Sequence, residues 1–205
     1  MPKRGYHHGN LRQALVDAAL ALIEEKGPAG FTLSEAAKRA DVTPAAVYRH
    51  FEGRDDLIIE CALQGHAIFG DLMEDAAAEA QPSALAAVEG AGRAYLRFAV
   101  SHPGHYQAMF ESGLSRHATP ELARAVTRSR RVLDAAAEAM LHRIPEERRP
   151  PAAMVSSHVW AMSHGVVELF ARGNPGGNAP FAPEDLLEAG IGVYLRGLGL
   201  VAPDD

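Results

Sequence analysis

One cysteine, one tryptophan and 6% aromatic residues in a chain of 205 are what this sequence is short of, and each shortage excludes something. A lone Cys61 rules out an intramolecular disulfide and any cysteine-based structural zinc site, and on an apolar helical stripe it reads as an inert buried thiol. Few aromatics beside abundant alanine argue against a sheet, because strands are normally filled with aromatic and β-branched residues. Nowhere do roughly 18 apolar residues run together, as a membrane span requires. The opening Met1-Pro2-Lys3-Arg4-Gly5-Tyr6-His7-His8 has no apolar core of a signal peptide, so a reducing cytoplasmic setting is expected, with no membrane partner. The sequence also lacks Gly-x-Ser-x-Gly, a phosphate-binding P-loop and His-Glu-x-x-His, and Gly190-Ile191-Gly192 follows no strand as a dinucleotide fingerprint would. Its ten histidines include no His-x-x-x-His pair. No catalytic residue, metal site or cofactor is therefore expected, and the chain is read as a non-enzyme.

What is present is 47% hydrophobic residue, 22% charge and a net charge of −6, enough for a real core in one or two domains. The charge is uneven. Residues 1–51 hold seven Lys and Arg against five Asp and Glu, a net +2 that leaves −8 for the remainder. A small basic head on an acidic body is the implied arrangement.

Periodicity writes about nine helices and no convincing strand, so the fold class expected is all-α. Leu11, Leu15, Ala18, Ala19, Leu22 and Ile23 recur at helical spacing until Gly27-Pro28, with Asn10 as a possible cap and Gln13 reaching back. Thr32-Leu33-Ser34-Glu35 is a capping box opening a short second helix. Thr43 is a good N-cap for a third, with Pro44 at the first helical position and an end near His50. A long helix from Arg54 to about Gln81 follows, then one after Ser83 and a brief aromatic segment, Tyr106 to Phe110. A helix starts at Thr119-Pro120, an eighth spans Val155 to Leu169, and a last one, opened by Glu184-Asp185, runs to about Gly197. Arg124, Arg128, Arg130 and Arg131 spread around their helix and read as solvated surface.

Two short helices joined by about three residues match the helix-turn-helix, whose second helix enters the major groove. Val42 and Val47 should pack inward, leaving Thr43, Ala45, Ala46, Tyr48, Arg49 and His50 outward. The N-termini of this helix and of the one at Arg54 suit phosphates, and Tyr48 and Arg54 could add donors there.

The stretch Phe31-Thr32-Leu33-Ser34-Glu35-Ala36-Ala37, then Val42-Thr43-Pro44-Ala45-Ala46-Val47-Tyr48-Arg49-His50-Phe51, then Arg54 and Leu57, resembles the DNA-binding signature of the TetR family of repressors. The resemblance implies an N-terminal three-helix DNA-binding domain over residues 1–53 and a larger helical effector-binding and dimerisation domain over 54–205. It implies phosphate contacts from Tyr48, His50 and Arg54, with Thr43, Pro44, Ala45, Ala46 and Arg49 along the bases. Thr32 and Ser34 and the basic Lys3 and Arg4 complete the expected DNA-binding set. Asp41 and Ala45 stand where the family commonly has glycine, and Arg54 where lysine is usual. Asp tolerates a left-handed turn and Arg keeps the charge, so only Ala45 bears on how closely the backbone meets DNA.

Farther on, Trp160-Ala161-Met162-Ser163-His164-Gly165 is similar to the Trp-x-x-x-His-Gly pattern of one C-terminal domain type in these regulators, as Tyr6 to Arg12 is to that subgroup's opening. Trp160 and His164 share a helix face and, with Tyr106, Met109, Phe110 and Met140, either line a ligand pocket or form plain core. Gly190, Val193 and Gly197 fall near one face where small residues let a helix come close. By resemblance the last two helices form a homodimer bundle.

The function expected is a ligand-responsive regulator, a repressor, that binds a near-palindromic double-stranded DNA operator as a homodimer and is released by a small-molecule effector. A DNA binder of the same fold without an effector, and a helical enzyme or small-molecule binding module, are the alternatives.

Overall fold

Capping side chains or prolines open most of the helices in the computed structural model, which describes residues 11–172 and 181–200. Nine α-helices are present among them: α1 (Leu11–Lys26), α2 (Leu33–Arg39), α3 (Pro44–Val47), α4 (Arg54–Glu79), α5 (Ala84–Ser101), α6 (Pro103–Phe110), α7 (Pro120–Leu141), α8 (Ala152–Val166) and α9 (Pro183–Gly197). One 3-10 turn, Glu146–Arg148, and one π-helical turn, Val167–Ala171, complete the regular structure, and no described residue is in a strand. The all-α expectation is thus borne out. Among the described residues no helix is long and apolar enough to cross a membrane.

The capping box at α2 forms in full. Thr32 Oγ1 accepts from the Glu35 amide at 3.2 Å while Glu35 Oε2 accepts from the Thr32 amide at 2.8 Å. Ser83 and Thr119 cap α5 and α7 in the same way, their hydroxyls accepting from Ala86 and Leu122. Asn10 lies outside the described residues, and the Gln13 amide donates to Asp17 Oδ1 at 2.8 Å.

Several boundaries differ from the sequence reading. Thr43 sits at the N-cap of α3 without a side-chain cap bond. The bond at this cap runs between backbones, from the Ala46 amide to the Thr43 carbonyl at 2.9 Å. The segment to His50 is a turn rather than helix, with the His50 and Phe51 amides both donating to the Val47 carbonyl. The eighth helix starts three residues earlier than expected, behind Pro151, and closes in the π turn. Gly199, at φ 72, takes the left-handed position after α9. The Gly199 and Leu200 amides then bond back to Arg196 and Leu195, closing α9 after Gly197, where the sequence reading also ends it.

The chain packs as two compact units: one runs up to His66 and adds His102–Ala123, the other holds Ala67–Ser101 and everything from Arg124. In the first, α1 packs on α2 and α6, and α2 on α3. Leu15, Val16, Ile23, Phe31, Ala36, Val47, Phe51, Leu57 and Ile58 form its core. Gly104 lets α6 reach α1. A Cβ there would meet the Leu20 carbonyl at 2.9 Å, and the Gly104 amide donates to Glu24 Oε1 at 3.1 Å. Cys61 is buried here too, and burial pushes its thiol up to about 12, which fits the inert reading.

In the second unit α5 packs on α8 and α9, with Tyr95, Phe98, Leu133, Val155, Val159, Ile191 and Leu195 inside. Arg128 and Arg130 are not free surface, contrary to expectation. Arg128 grips Glu74 with two bonds, Nε to Oε1 at 2.9 Å and Nη2 to Oε2 at 2.7 Å, and reaches Asp71 at 2.6 Å. Arg130 donates to Ser157 at 3.2 Å and lies 5.2 Å from the centre of the Trp160 ring. Partners on other helices, invisible to a single-helix pattern, make the difference.

Candidate nucleic-acid interface

Asp41 makes the turn between α2 and α3, at φ 57 in the left-handed region where a short side chain is tolerated. That turn aims α3 so that Val47 and, four residues on, Phe51 are buried. Thr43, Pro44, Ala45, Tyr48, Arg49 and His50 are left exposed, with Ala46 half-buried. Tyr48 is 63% exposed, which for a large ring on a folded surface leaves its hydroxyl and face available to a partner. Small residues at the start of α3 and long donors at its end give a surface that can approach closely and then hydrogen-bond.

Thr32 and Ser34 are exposed on the same unit, but they are not equivalent. The Thr32 hydroxyl already serves the capping box, donating to Glu35 Oε2 at 3.0 Å, so a phosphate would compete with Glu35 for it. Arg54 is half-buried at the start of α4, where Nη1 donates to the Ala29 carbonyl at 3.3 Å and Nη2 lies 3.5 Å from Asp55. Asp55 and Asp56 fill the first turn of α4. Their negative charge complements the helix dipole and opposes a phosphate there, so any anion at this end depends on Arg54 rather than on the helix terminus. Lys3 and Arg4 lie outside the described residues.

Two ion pairs fix the scaffold behind this face. Lys26 reaches Glu35 at 2.5 Å, and Arg39 takes Glu25 in a two-pronged pair at 2.6 and 2.8 Å, so α2 is tied to α1 twice. The Lys26 ammonium, with help from Thr32, holds the Glu35 carboxyl down at about 2.

One residue of this assembly is not in the sequence-derived set. Arg12, on α1, donates from Nη1 to the His50 carbonyl at 3.2 Å, pairs with Glu60 of α4 at 2.5 Å, and lays its guanidinium 4.7 Å from the centre of the Phe51 ring. It binds the end of the recognition turn to two helices at once. Its partners are 38 to 48 residues away in sequence, so no local pattern announces them.

The six residues expected to line a ligand pocket are divided between the two units. Tyr106, Met109 and Phe110 lie on α6 in the smaller one, where the Tyr106 and Phe110 rings meet at a tilt of 53° with centres 4.8 Å apart and Met109 packs against Gly65. Trp160, His164 and Met140 belong to the larger one. There Tyr95 Oη and His164 Nδ1 are 2.9 Å apart, and Trp160 meets Tyr95 and Phe69 edge-on at 5.0 and 5.8 Å. Met140 is buried.

A helix-turn-helix with its outer face bare, held on a three-helix head, defines a DNA-binding protein of the bacterial regulator type. Comparison with known proteins agrees. The family model described as bacterial regulatory proteins, tetR family, matches residues 15–61, and that described as tetracyclin repressor-like, C-terminal domain, matches residues 88–194. The chain belongs to the TetR family of transcriptional regulators.

Among curated proteins it is similar to the uncharacterized HTH-type transcriptional regulator YobS of Bacillus subtilis, 30% identical over 100 residues, 49% of this chain and 51% of that one. The match thus spans about half the length of that relative. A solved structure of a protein of unknown function from Rhodococcus sp. RHA1 superposes with a TM-score of 0.76 at 27% identity, covering 95% of this chain and 98% of that one. AibR, solved in complex with isovaleryl coenzyme A and operator DNA, shares the fold with a TM-score of 0.67 at 15% identity, over 89% and 97% of the two chains.

Proposed function

We propose that the protein is a ligand-responsive repressor that binds a near-palindromic operator as a homodimer and is released by a small molecule taken up in its larger unit. The observation that carries the DNA half of this reading is the bare outer face of α3 and its turn over a buried Val47 and Phe51. Thr43, Pro44, Ala45, Ala46 and Arg49 face base edges, and Tyr48, His50 and Arg54 face phosphates. Residues 1–53 serve as the DNA-binding domain and 54–205 as the regulatory one. The fold shared with AibR, a protein solved with both an acyl-coenzyme A and operator DNA, is compatible with one chain serving both ligands.

Dimerisation is supported by the apolar surface of α8, α9 and the π turn. Met154, Leu169 and Val193, and Phe181 just before α9, are each more than half exposed. A concavity of about 200 Å³ nearby is walled by Met162, Gly165, Leu186 and Gly190, among others. A second copy burying this face would give an operator of two half-sites one helical turn, or a small multiple, apart. Release follows by linkage: an effector that prefers a conformation with the two recognition elements wrongly spaced must weaken operator binding by the ratio of its affinities for the two states.

Footprinting on the DNA upstream of the protein's own coding sequence tests the reading, followed by two variants. Arg49→Ala should cost about 1–3 kcal/mol at particular operator positions and relax specificity there. Arg54→Ala should weaken all sequences alike and lower the salt slope by about 1. No protected site, or identical profiles for the two variants, would remove these roles.

A further inference from the structure

The larger unit contains an open pocket of about 450 Å³ walled by the second half of α4, the start of α5 and the second half of α7. None of the six residues in which the sequence suggested a ligand site lines it. Its volume lies within the range of small-molecule sites, roughly 300–1,000 Å³. Its walls are methyl groups: Ala77, Ala84 and Ala87 on one side, Ala135, Ala136 and Ala139 on the other. Alanines facing one another across three helices leave open the space that larger side chains would fill. No aromatic ring lines the pocket among the described residues, so none of them stacks on a planar ligand, and a narrow saturated chain matches the walls best.

Among the described residues that line it, three carry polar side chains: Glu74, Gln81 and Arg131. Glu74 is already taken. Both its oxygens accept from Arg128, and that pairing draws its carboxyl below the usual range. Arg131 is exposed at the same pocket, where its charge acts on Glu74 without forming an ion pair with any carboxylate among the described residues. Its guanidinium is the cation of the pocket that no carboxylate holds, and its geometry matches a carboxylate with two parallel bonds.

We propose that this pocket binds a small aliphatic carboxylate, its chain along the alanine walls and its carboxylate on Arg131. The site gives residues and a ligand class to the effector reading above, on which its regulatory meaning rests.

Calorimetry with octanoate on the full chain, without DNA, tests the site. Saturable binding of one octanoate per chain is expected, with octan-1-ol and octylamine about tenfold weaker or worse because neither satisfies a cation. Arg131→Gln should reduce octanoate affinity about five- to tenfold, the worth of a charge-assisted contact at a partly exposed site, and leave octan-1-ol unchanged. Ala135→Leu, at a position exposed to the pocket, should fill the trough and abolish binding of both without lowering the melting temperature. Trp160→Phe should leave octanoate affinity intact. The proposal is overturned if octanoate does not bind, if all three probes bind equally, or if affinity survives both Arg131→Gln and Ala135→Leu.

Operator release is measured separately. Octanoate that binds through Arg131 yet leaves operator affinity unchanged sinks the effector reading while keeping the pocket. A compound that releases the operator with full potency from the folded Ala135→Leu variant keeps the effector reading and removes this pocket from it.

Discussion

Replacing Arg12 by alanine removes three contacts that converge on the end of the recognition turn, and their sizes can be worked out singly. The bond from Nη1 to the His50 carbonyl contributes about 1 kcal/mol net. The pair with Glu60, whose arginine side is 47% exposed, is worth about 0.2–1 kcal/mol after screening by solvent. The guanidinium on Phe51 adds about 0.5–1 kcal/mol. Together these make about 2 kcal/mol, a factor of roughly 30 in the equilibrium between closed and open turn. Amide hydrogen exchange reads that equilibrium directly, because the His50 and Phe51 amides are held by the Val47 carbonyl and exchange only when the turn opens. Arg12→Ala should speed exchange at these two amides about 10- to 50-fold while the amides of α5 keep their rates. Glu60→Gln removes the ion pair alone and should give less than about fivefold. Operator affinity falls with the fraction of molecules whose turn remains closed, so it drops less than the exchange protection does. Exchange at His50 and Phe51 within about threefold of the parent in Arg12→Ala would refute the idea that this side chain holds the turn.

Asp41→Gly should raise stability or leave it unchanged, since glycine adopts φ 57 freely, whereas Asp41→Val should cost about 1–2 kcal/mol in thermal or urea unfolding. Gly104→Ala should destabilise the smaller unit, because the new Cβ meets a backbone carbonyl at 2.9 Å that cannot swing away, and faster exchange in α6 would report it. Acid should act on the same unit: burial, with Arg116 near His66 and His102 near His105, pushes both imidazoles down to about 4. Each is neutral in the fold and charges more easily when unfolded, so its stabilising contribution is complete above about pH 6.5 and is lost as pH falls toward 4. The buried Nε2 of His105 has no hydrogen-bond partner among the described residues, so a proton there has none of them to donate to. Melting curves from pH 7 to 4 should flatten in His66→Gln combined with His105→Gln, and an unchanged pH slope in that variant would dismiss the mechanism.

Most of the helical framework was legible in the sequence because its signals are local. The capping box Thr32 to Glu35, the caps at Ser83 and Thr119, Pro44 and Pro120 at helix starts and the apolar repeats each act within one or two turns, and each stands where expected, whereas Pro103 and Pro183 open helices that the sequence does not announce. The outward set on α3 was readable for the same reason, since burying Val47 fixes which neighbours face away. Residue type alone does not settle a cap: Thr43 has the side chain and the extended backbone of one, yet its hydroxyl makes no cap bond.

What the sequence determined by itself is therefore the list of helices, the position of the helix-turn-helix and the family resemblance of its residues. Tertiary structure alone decided which distant side chains meet. Arg12 finds His50 and Glu60 across 38 and 48 residues, Arg128 finds Glu74 across 54, and Tyr95 finds His164 across 69. The alanine pocket is of the same kind: its walls come from three helices whose alanines, read singly, mark nothing but helix propensity. The physical reason is that periodicity and capping are short-range properties of one segment, whereas a long-range contact or an empty space exists only after helices pack and their facing side chains either fill the gap between them or do not.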